Sequence, residues 1–321
     1  MINKPPFWVC VHSSTYNHHA FITDAMNGFS IQKTNFPFVC VIIDDNSTDD
    51  TRDVIKRYLN DNFTLLDSDE TETQTTNFAQ HNTNKNCYFA AIFLKQNHES
   101  QKKSKNKYYE QWQRDAKYVA MCEGDDYWLT ENKLQTQVDF LEANGDYTMI
   151  FHSARVINEN NIKCSLQCEN IEERDYSPTE LFEHWIVPTA SILIRKDIYN
   201  QPINNPSGWA MNDDIIIVEK AAHNGKVRGI NPQLAAYRVH SGGVTYNVAM
   251  QKSRTYGYPA HYLMIRKNFK QIDLHVINRF IISSYFGCFK IDKKPKWIWK
   301  GICISPWIFV ELTFKKLFKD K

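Results

Sequence analysis

Tyr118-Val119-Ala120-Met121-Cys122-Glu123-Gly124-Asp125-Asp126-Tyr127-Trp128 is an apolar, strand-like run that opens into three carboxylates and closes on two aromatic rings. Adjacent acids repel one another, and a strand end beside a core offers little water to offset that repulsion. A hard divalent cation removes the conflict, because Mg²⁺ or Mn²⁺ takes carboxylate oxygens and keeps room in its shell for phosphate and water. The competing reading is structural: Asp125 or Asp126 caps the helix that the pattern predicts from about Thr130 to Ala143. The stretch alone leaves ion and cap both open.

Working outward, Phe7 to His12 is apolar, His18 to Ile31 helix-like, Phe36 to Ile43 apolar again and Asp49 to Leu59 helical. Tyr88 to Leu94 then reads as a strand and Tyr108 to Asp115 as a short helix leading into Tyr118. This alternation predicts an α/β fold with a mostly parallel, Rossmann-like central sheet and flanking helices. The polar run from Asp61 to Asn86 reads as a surface excursion. Beyond the acids, strands are expected near Tyr147 to His152, Ser191 to Arg195 and Gln233 to His240, with a helix from Asp214 to His223. Past Val244 the chain reads mostly helical, which divides it into a domain over 1–245 and a helical extension over 246–321.

A chain of 321 residues with 42% hydrophobic composition can build a proper core. A formal net charge of only +2 gives no global field for nucleic acid, so any electrostatic partner is recognised locally. The eight cysteines are scattered, and Cys10, Cys40 and Cys122 lie in apolar runs as small core residues rather than in a disulfide framework. Cys164 and Cys168 lack the second pair that a zinc site needs. The first residues carry no basic-then-apolar leader pattern, which points to the cytoplasm.

A second acidic cluster, Asp44-Asp45-Asn46-Ser47-Thr48-Asp49-Asp50-Thr51, again follows an apolar run. Thr48 and Asp49 read as helix caps, whereas Asp44 and Asp45 precede the cap and are freer to accept hydrogen bonds from a ribose or a base. The first strand ends in Ser14-Thr15-Tyr16-Asn17, small polar groups and an aromatic face suited to a nucleoside. In an open α/β sheet, the carboxyl edge of the strands is where ligands bind. No G-x-G-x-x-G and no Walker A loop is present, so phosphates would be neutralised by metal and cations rather than by a glycine cradle. A third cluster, Asn212-Asp213-Asp214, opens a helix; Asp213 reads as part of a cap and the second acid as a general base for a sugar hydroxyl. Tyr237-Arg238-Val239-His240 alternates, so Arg238 and His240 share a strand face, Arg238 suited to a diphosphate and His240 to an ion.

Taken in order, the stretches 44–51 and 123–128, the pair Asp213-Asp214 eleven residues before Gly225, and the stretch 237–240 resemble family 2 of the inverting glycosyltransferases, with the GT-A fold, over Phe7 to about Thr245. The resemblance implies that Thr15 and Asp45 contact the nucleoside of a sugar nucleotide, with Tyr16, Asn17, Asp44 and Ser47 of the same two loops beside them. It implies that Asp125 and Asp126 supply the metal and ribose contacts of the family's Asp-x-Asp motif, Glu123 standing where many members have the leading Asp. The base maps onto Asp214, with Asp213 in place of the usual Glu, and Arg238 and His240 fall near the diphosphate. The implied activity is metal-dependent (Mn or Mg) hexosyl transfer from a nucleoside-diphosphate sugar, with a family-level lean to UDP, onto a glycan or lipid-linked acceptor in surface-polysaccharide assembly. A nucleotidyltransferase would need a basic, glycine-rich phosphate loop, and a non-catalytic sugar-nucleotide or glycan-binding subunit would have no use for Asp214.

The tail holds Trp297, Trp299 and Trp307 among Lys293, Lys294, Lys296 and Lys300, and is interrupted by Lys300 and Pro306. Tryptophans flanked by lysines suit an anionic headgroup layer, so 293–319 is expected to lie in the plane of the inner membrane face rather than to span it, with packing on the protein itself as the alternative.

Overall fold

The structure, a computed structural model, describes residues 4–158, 167–205, 211–243 and 248–319. The chain runs β1 (Val9–Thr15), α1 (Ile22–Ser30), β2 (Phe38–Asp44), α2 (Thr51–Asn62), β3 (Phe63–Glu70), β4 (Gln74–His81), β5 (Cys87–Leu94), α3 (Asn106–Gln113), β6 (Tyr118–Met121), β7 (Tyr127–Trp128), α4 (Lys133–Ala143) and β8 (Tyr147–Ile157). It continues through α5 (Pro178–His184), β9 (Leu193–Arg195), α6 (Lys196–Tyr199), α7 (Asp213–Asn224), β10 (Lys226–Arg238), α8 (Val248–Asn268), α9 (Leu274–Asp292), α10 (Lys296–Ile304) and α11 (Pro306–Lys319).

All the strands join one sheet in the order β3-β4-β5-β2-β1-β6-β9-β8-β10-β7. The runs that read as continuously apolar, β2, β1, β6 and β5, pair in parallel at its centre, as strands covered on both faces do. Antiparallel partners flank them, so the sheet is mixed. The expected surface excursion over Asp61 to Asn86 is in fact the β3–β4 hairpin added to the edge at β5. Its polar composition reflects an edge ribbon held by backbone hydrogen bonds and anchored by buried Phe63, Phe78 and Ala79. The last strand is also longer than expected, pairing with β8 from Lys226 onward through register shifts, and it ends at Arg238, two residues before His240.

Trp128 ties the sheet to its covering helix. Its ring is buried, stands edge-on to Phe29 at 4.9 Å, and its Nε1 donates to Ala190 O at 2.9 Å. Gly28 permits this approach, since a Cβ there would lie 2.7 Å from the Trp128 backbone nitrogen. Trp128→Ala is expected to lower unfolding free energy by about 3–5 kcal/mol, read as an earlier urea midpoint at unchanged m-value.

The C-terminal helices share a core with the α/β part. Ile265, Phe269, Ile272, Val276, Ile277 and Ile281 pack with Phe182 of α5 and Ile216 of α7. Residue 245, the expected domain boundary, lies outside the described residues, as do Cys164 and Trp209. Among the described cysteines, Cys10, Cys40 and Cys122 are buried and free, as their apolar runs suggested.

Candidate active site at the carboxyl edge of the sheet

β1, β2 and β6 end side by side, and their outgoing loops are stitched together by backbone bonds from Asp45 N to Thr15 O and from Gly124 N to Ser14 O, both 2.9 Å. Gly124 is required here, because a Cβ would meet the Thr15 side chain at 2.7 Å. Thr15 is buried under the acidic loop with no partner for its Oγ1.

The capping reading of the acidic run does not hold. Helix α4 begins at Lys133, after Asn132, which makes no side-chain cap, and β7 lies between the acids and the helix. The three carboxylates instead part company. Asp125 turns toward two imidazoles: His240 Nε2 is 3.0 Å and His18 Nε2 is 3.7 Å from its Oδ2. Burial pushes the Asp125 carboxyl upward, but the hydrogen bond to His240 and the charges of His18 and His240 outweigh it and hold the group below its ordinary range. Glu123 is half-buried, accepts from Ser14 N at 3.2 Å, and is raised to about 7 by burial first and then by Asp125.

Asp126, expected on the ion, points elsewhere. It is buried against β10, accepts from Arg238 N at 2.8 Å, and is raised well above the usual carboxylate range by burial and by Asp125. The position that joins Asp125 and His240 is His18, at the loop before α1. The ligand atoms of His18, Asp125 and His240 all lie within 4.8 Å of one another. His18 Nδ1 is buried without a partner, so its ring is held by packing and by Asp125. Two imidazoles and one carboxylate form a donor set suited to a divalent transition ion such as Mn²⁺ more than to Mg²⁺, which favours oxygen. A local signal for His18 existed in the His18-His19 pair just after Asn17, but only the fold brings it to Asp125.

Arg238 also departs from expectation. Its guanidinium donates to Asp24 Oδ2 at 2.7 Å and Asp125 O at 2.6 Å, lies between the Phe21 and Tyr127 rings, and so clamps the Asp125 loop instead of opening toward a diphosphate. A cation missed in the sequence faces the cleft: Lys105 Nζ is 3.3 Å from Asp45 Oδ2, and its charge opposes the upward shifts of Glu123 and Asp213.

The nucleoside candidates are placed unequally. Asp44, expected to be free for a nucleoside, is fully buried, paired with Arg52 and accepting from Ser47 N at 3.2 Å, which makes it an anchor of the β2–α2 loop. Asp45 accepts from His98 N at 2.6 Å, Glu99 N at 3.0 Å and Lys105, so the 97–105 loop closes over it. Asn17 adopts a left-handed backbone at φ 57° and its side chain accepts from Thr48 N at 2.8 Å, while its own N donates to Ser47 Oγ at 3.0 Å. Tyr16 and Asn17 are the members of the set that stand exposed. The N-cap position of α2 falls on Asp50, which makes no side-chain cap; Asp49, one residue earlier, accepts from Thr51 N and Oγ1, and these bonds with those from His19 outweigh burial and bring it to about 2.

Asp214 sits in the first turn of α7, half-buried, its Oδ1 accepting from Ile215 N at 2.9 Å. Burial raises its carboxyl, against the opposing hydrogen bond and the charge of Arg254. Asp213 is lifted to about 6 by desolvation and by Asp214, and makes no cap. After burial and Asp125, the Asp214 charge adds a smaller upward push on Glu123. Deeper in α7, Glu219 is fully buried and pushed up to about 9 by burial. Because it binds its proton more tightly folded than unfolded, folding stability falls as pH rises from about 4.5 toward 9. Glu219→Gln should flatten that slope, seen as a smaller loss of melting temperature between pH 6 and about 9 than in the parent chain.

A mixed sheet in this order, with acids at adjoining strand ends and a carboxylate on the following helix, is a GT-A-type α/β fold. A family model described as glycosyl transferase family 2 matches residues 10–218, and the chain belongs to that family. An uncharacterized protein of Mycobacterium tuberculosis is 28% identical over 252 residues, which cover 78% of this chain and 64% of that protein. An uncharacterized glycosyltransferase of Nostoc sp. is 25% identical over 239 residues, 72% of this chain and 65% of that one. The chain therefore spans just under two thirds of these curated relatives. Among solved structures, TarS residues 1–349 of S. aureus in complex with UDP has a TM-score of 0.57 at 15% identity, covering 91% of this chain and 78% of that one. The mannosyltransferase PcManGT of Pyrobaculum calidifontis, in complex with GDP-Man and Mn²⁺, has a TM-score of 0.51 at 14% identity, covering 98% and 88%. At these identities the likeness is one of fold.

Proposed function

We propose that this chain is an inverting, metal-dependent transferase that moves a hexosyl group from a nucleoside-diphosphate donor, in first place a UDP-sugar, to the hydroxyl of a glycan or lipid-linked acceptor. The observation that carries the reading is the cluster of His18, Asp125 and His240, whose ligand atoms lie within 4.8 Å of one another, in a chain of this family. A divalent ion bound by His18, Asp125 and His240 would supply Lewis-acid stabilisation of the departing diphosphate. Lys105 would add positive charge on the same side. Asp214 would take the proton of the acceptor hydroxyl as its oxygen attacks the anomeric carbon and the bond to the diphosphate breaks. Glu123 and Tyr16 would line the nucleoside and ribose, and buried Thr15 would support the loop beneath them rather than touch the nucleoside. A non-catalytic sugar-nucleotide subunit would share the donor contacts but not the need for a half-buried carboxylate at Asp214.

A panel of UDP- and GDP-sugars tests this, with nucleoside-diphosphate release measured in Mn²⁺, in Mg²⁺ and after chelation, and with the product anomer assigned by NMR. Metal-dependent release with inverted product supports the reading. Binding of nucleotide with no turnover on any donor and acceptor would favour the non-catalytic subunit, and retention at the anomeric carbon would remove Asp214 as base.

We also assign the tail to the anionic inner face of the cell membrane. No helix among the described residues is long and apolar enough to cross a membrane. On α11, Trp307, Val310 and Phe314 form one outward stripe, with Trp307 79% exposed, and α10 presents Trp299 at 67% exposure beside exposed Lys296 and Lys300. An apolar stripe with flanking lysines matches an in-plane anchor on acidic headgroups. The full chain is expected to float with phosphatidylglycerol vesicles and to lose that flotation on Trp299→Ala/Trp307→Ala; equal flotation of both, or flotation on neutral vesicles alone, would count against it.

A further inference from the structure

A cavity of about 400 Å³ opens beside Asp214 and is walled by Trp185, Tyr237, Tyr258, Asn212, Gln251 and Arg254. Its size falls in the range of small-molecule sites. Its walls come from two parts of the chain: Trp185 and Asn212 from the α/β part, Gln251, Arg254 and Tyr258 from α8.

Each wall is held in place. Trp185 ends α5 in the left-handed region, φ 41° and ψ 68°. A bulky non-glycine residue there is strained, and such strain gathers at binding sites, where the surrounding structure holds it. At the other end of the helix Ser177 and Glu180 form a reciprocal capping box. Tyr258 stacks on Tyr262 at 5.6 Å, and Tyr262 is wedged edge-on to Phe182 and Phe280. Arg254 donates to Asn212 Oδ1 at 2.9 Å and so pins the residue that starts α7.

We propose that this cavity is the acceptor subsite, that it takes the ring of an uncharged pyranoside against Trp185 and Tyr258, and that α8 supplies its selectivity. The proposal rests on the glycosyltransferase reading above. Aromatic walls suit the apolar face of a sugar ring, Asn212 and Gln251 offer amides to its hydroxyls, and Asp214 lies where one hydroxyl can reach it. The one described cation of the wall, Arg254, is already turned to Asn212, and the Asp214 carboxylate of the same wall offsets its charge, which leaves no net positive field for an acidic sugar. Within the described residues, selectivity would be shared between Trp185 and a helix of the C-terminal extension. Arg254 is a positioning residue, acting through Asn212 and Asp214.

The test uses the full chain labelled with 5-fluorotryptophan. Its eight tryptophans give ¹⁹F resonances, of which the one lost in Trp185→Phe belongs to Trp185. The probes are methyl glucoside, methyl galactoside, N-acetylglucosamine and glucuronate, with UDP plus Mn²⁺ followed separately by calorimetry. A saturable shift of the Trp185 resonance by at least one uncharged sugar, weakened about tenfold in Tyr258→Leu, is expected. Binding of UDP with no sugar moving Trp185 would overturn the subsite and leave the donor reading standing. A stronger response to glucuronate than to any uncharged sugar would overturn the acceptor class, and failure of UDP and all sugars together would overturn both. Arg254→Gln separates positioning from mere packing: an upward move of the acidic limb of the turnover pH profile is expected, and an unmoved limb would remove Arg254 from the assignment.

Discussion

Asp214→Asn should lower turnover by about two to four orders of magnitude while leaving UDP affinity within a few fold. The asparagine keeps the shape and can still accept the hydrogen bond from Ile215 N, so the helix start is preserved and only proton acceptance is lost. The pH dependence carries the same signature. Burial lifts the Asp214 carboxyl above its ordinary range, with the Ile215 amide and Arg254 opposing. As the base must be ionised to act, activity should fall on the acid side at a higher pH than an exposed aspartate would give. Single-turnover rates across pH, for parent and variant, measure both effects; a variant with near-parent turnover on the true acceptor would remove Asp214 from the mechanism.

Asp125→Ala is expected to weaken Mn²⁺ binding by roughly a hundredfold or more, since even outer-shell changes at metal sites cost 10–100-fold. The carboxylate is the shared partner of His18 and His240, so its removal leaves two imidazoles facing one another across an uncompensated gap, with ring centroids 5.9 Å apart. His18→Ala should weaken binding less, by about tenfold, because Asp125 and His240 still hold the ion. Asp126→Asn should leave Mn²⁺ affinity near the parent value, as its oxygen lies on the Arg238 amide. Calorimetric titration with MnCl₂, in the presence and absence of UDP, reads all three. Equal loss in Asp125→Ala and Asp126→Asn would restore the sequence-based pairing of the two aspartates and remove His18 from the site.

The tail and the cavity bear on each other. Helix α8 walls the Asp214 cavity, α9 packs on α8 through the cluster around Ile265 and Ile277, and α10 and α11 lead out to the exposed tryptophans. A chain resting on a membrane through α10 and α11 would thus hold its C-terminal region, and with it one wall of the cavity, close to that surface.

Much of the architecture was legible because its signals are local. Apolar runs of strand length at β1, β2, β5 and β6, each released into polar loops, are enough to predict a parallel centre, since only strands covered on both faces are apolar throughout. The acidic and hydroxyl-rich loops after those runs lie together at the carboxyl edge of that centre, as adjoining parallel strands require. The β3–β4 hairpin escaped because an edge ribbon needs few buried side chains and so leaves little period-two pattern to read.

By itself, then, the sequence determined the kind of sheet, the edge at which acids gather, and the residue types available there. It could not determine where neighbouring carboxylates point. Glu123, Asp125 and Asp126 are within four positions of each other, yet one accepts from Ser14, one meets His18 and His240, and one turns to the backbone of Arg238. That division follows from contacts with residues up to 115 positions away, and only tertiary packing sets which partner each carboxylate finds, because an acid leaving water goes to whatever donor the fold places within reach.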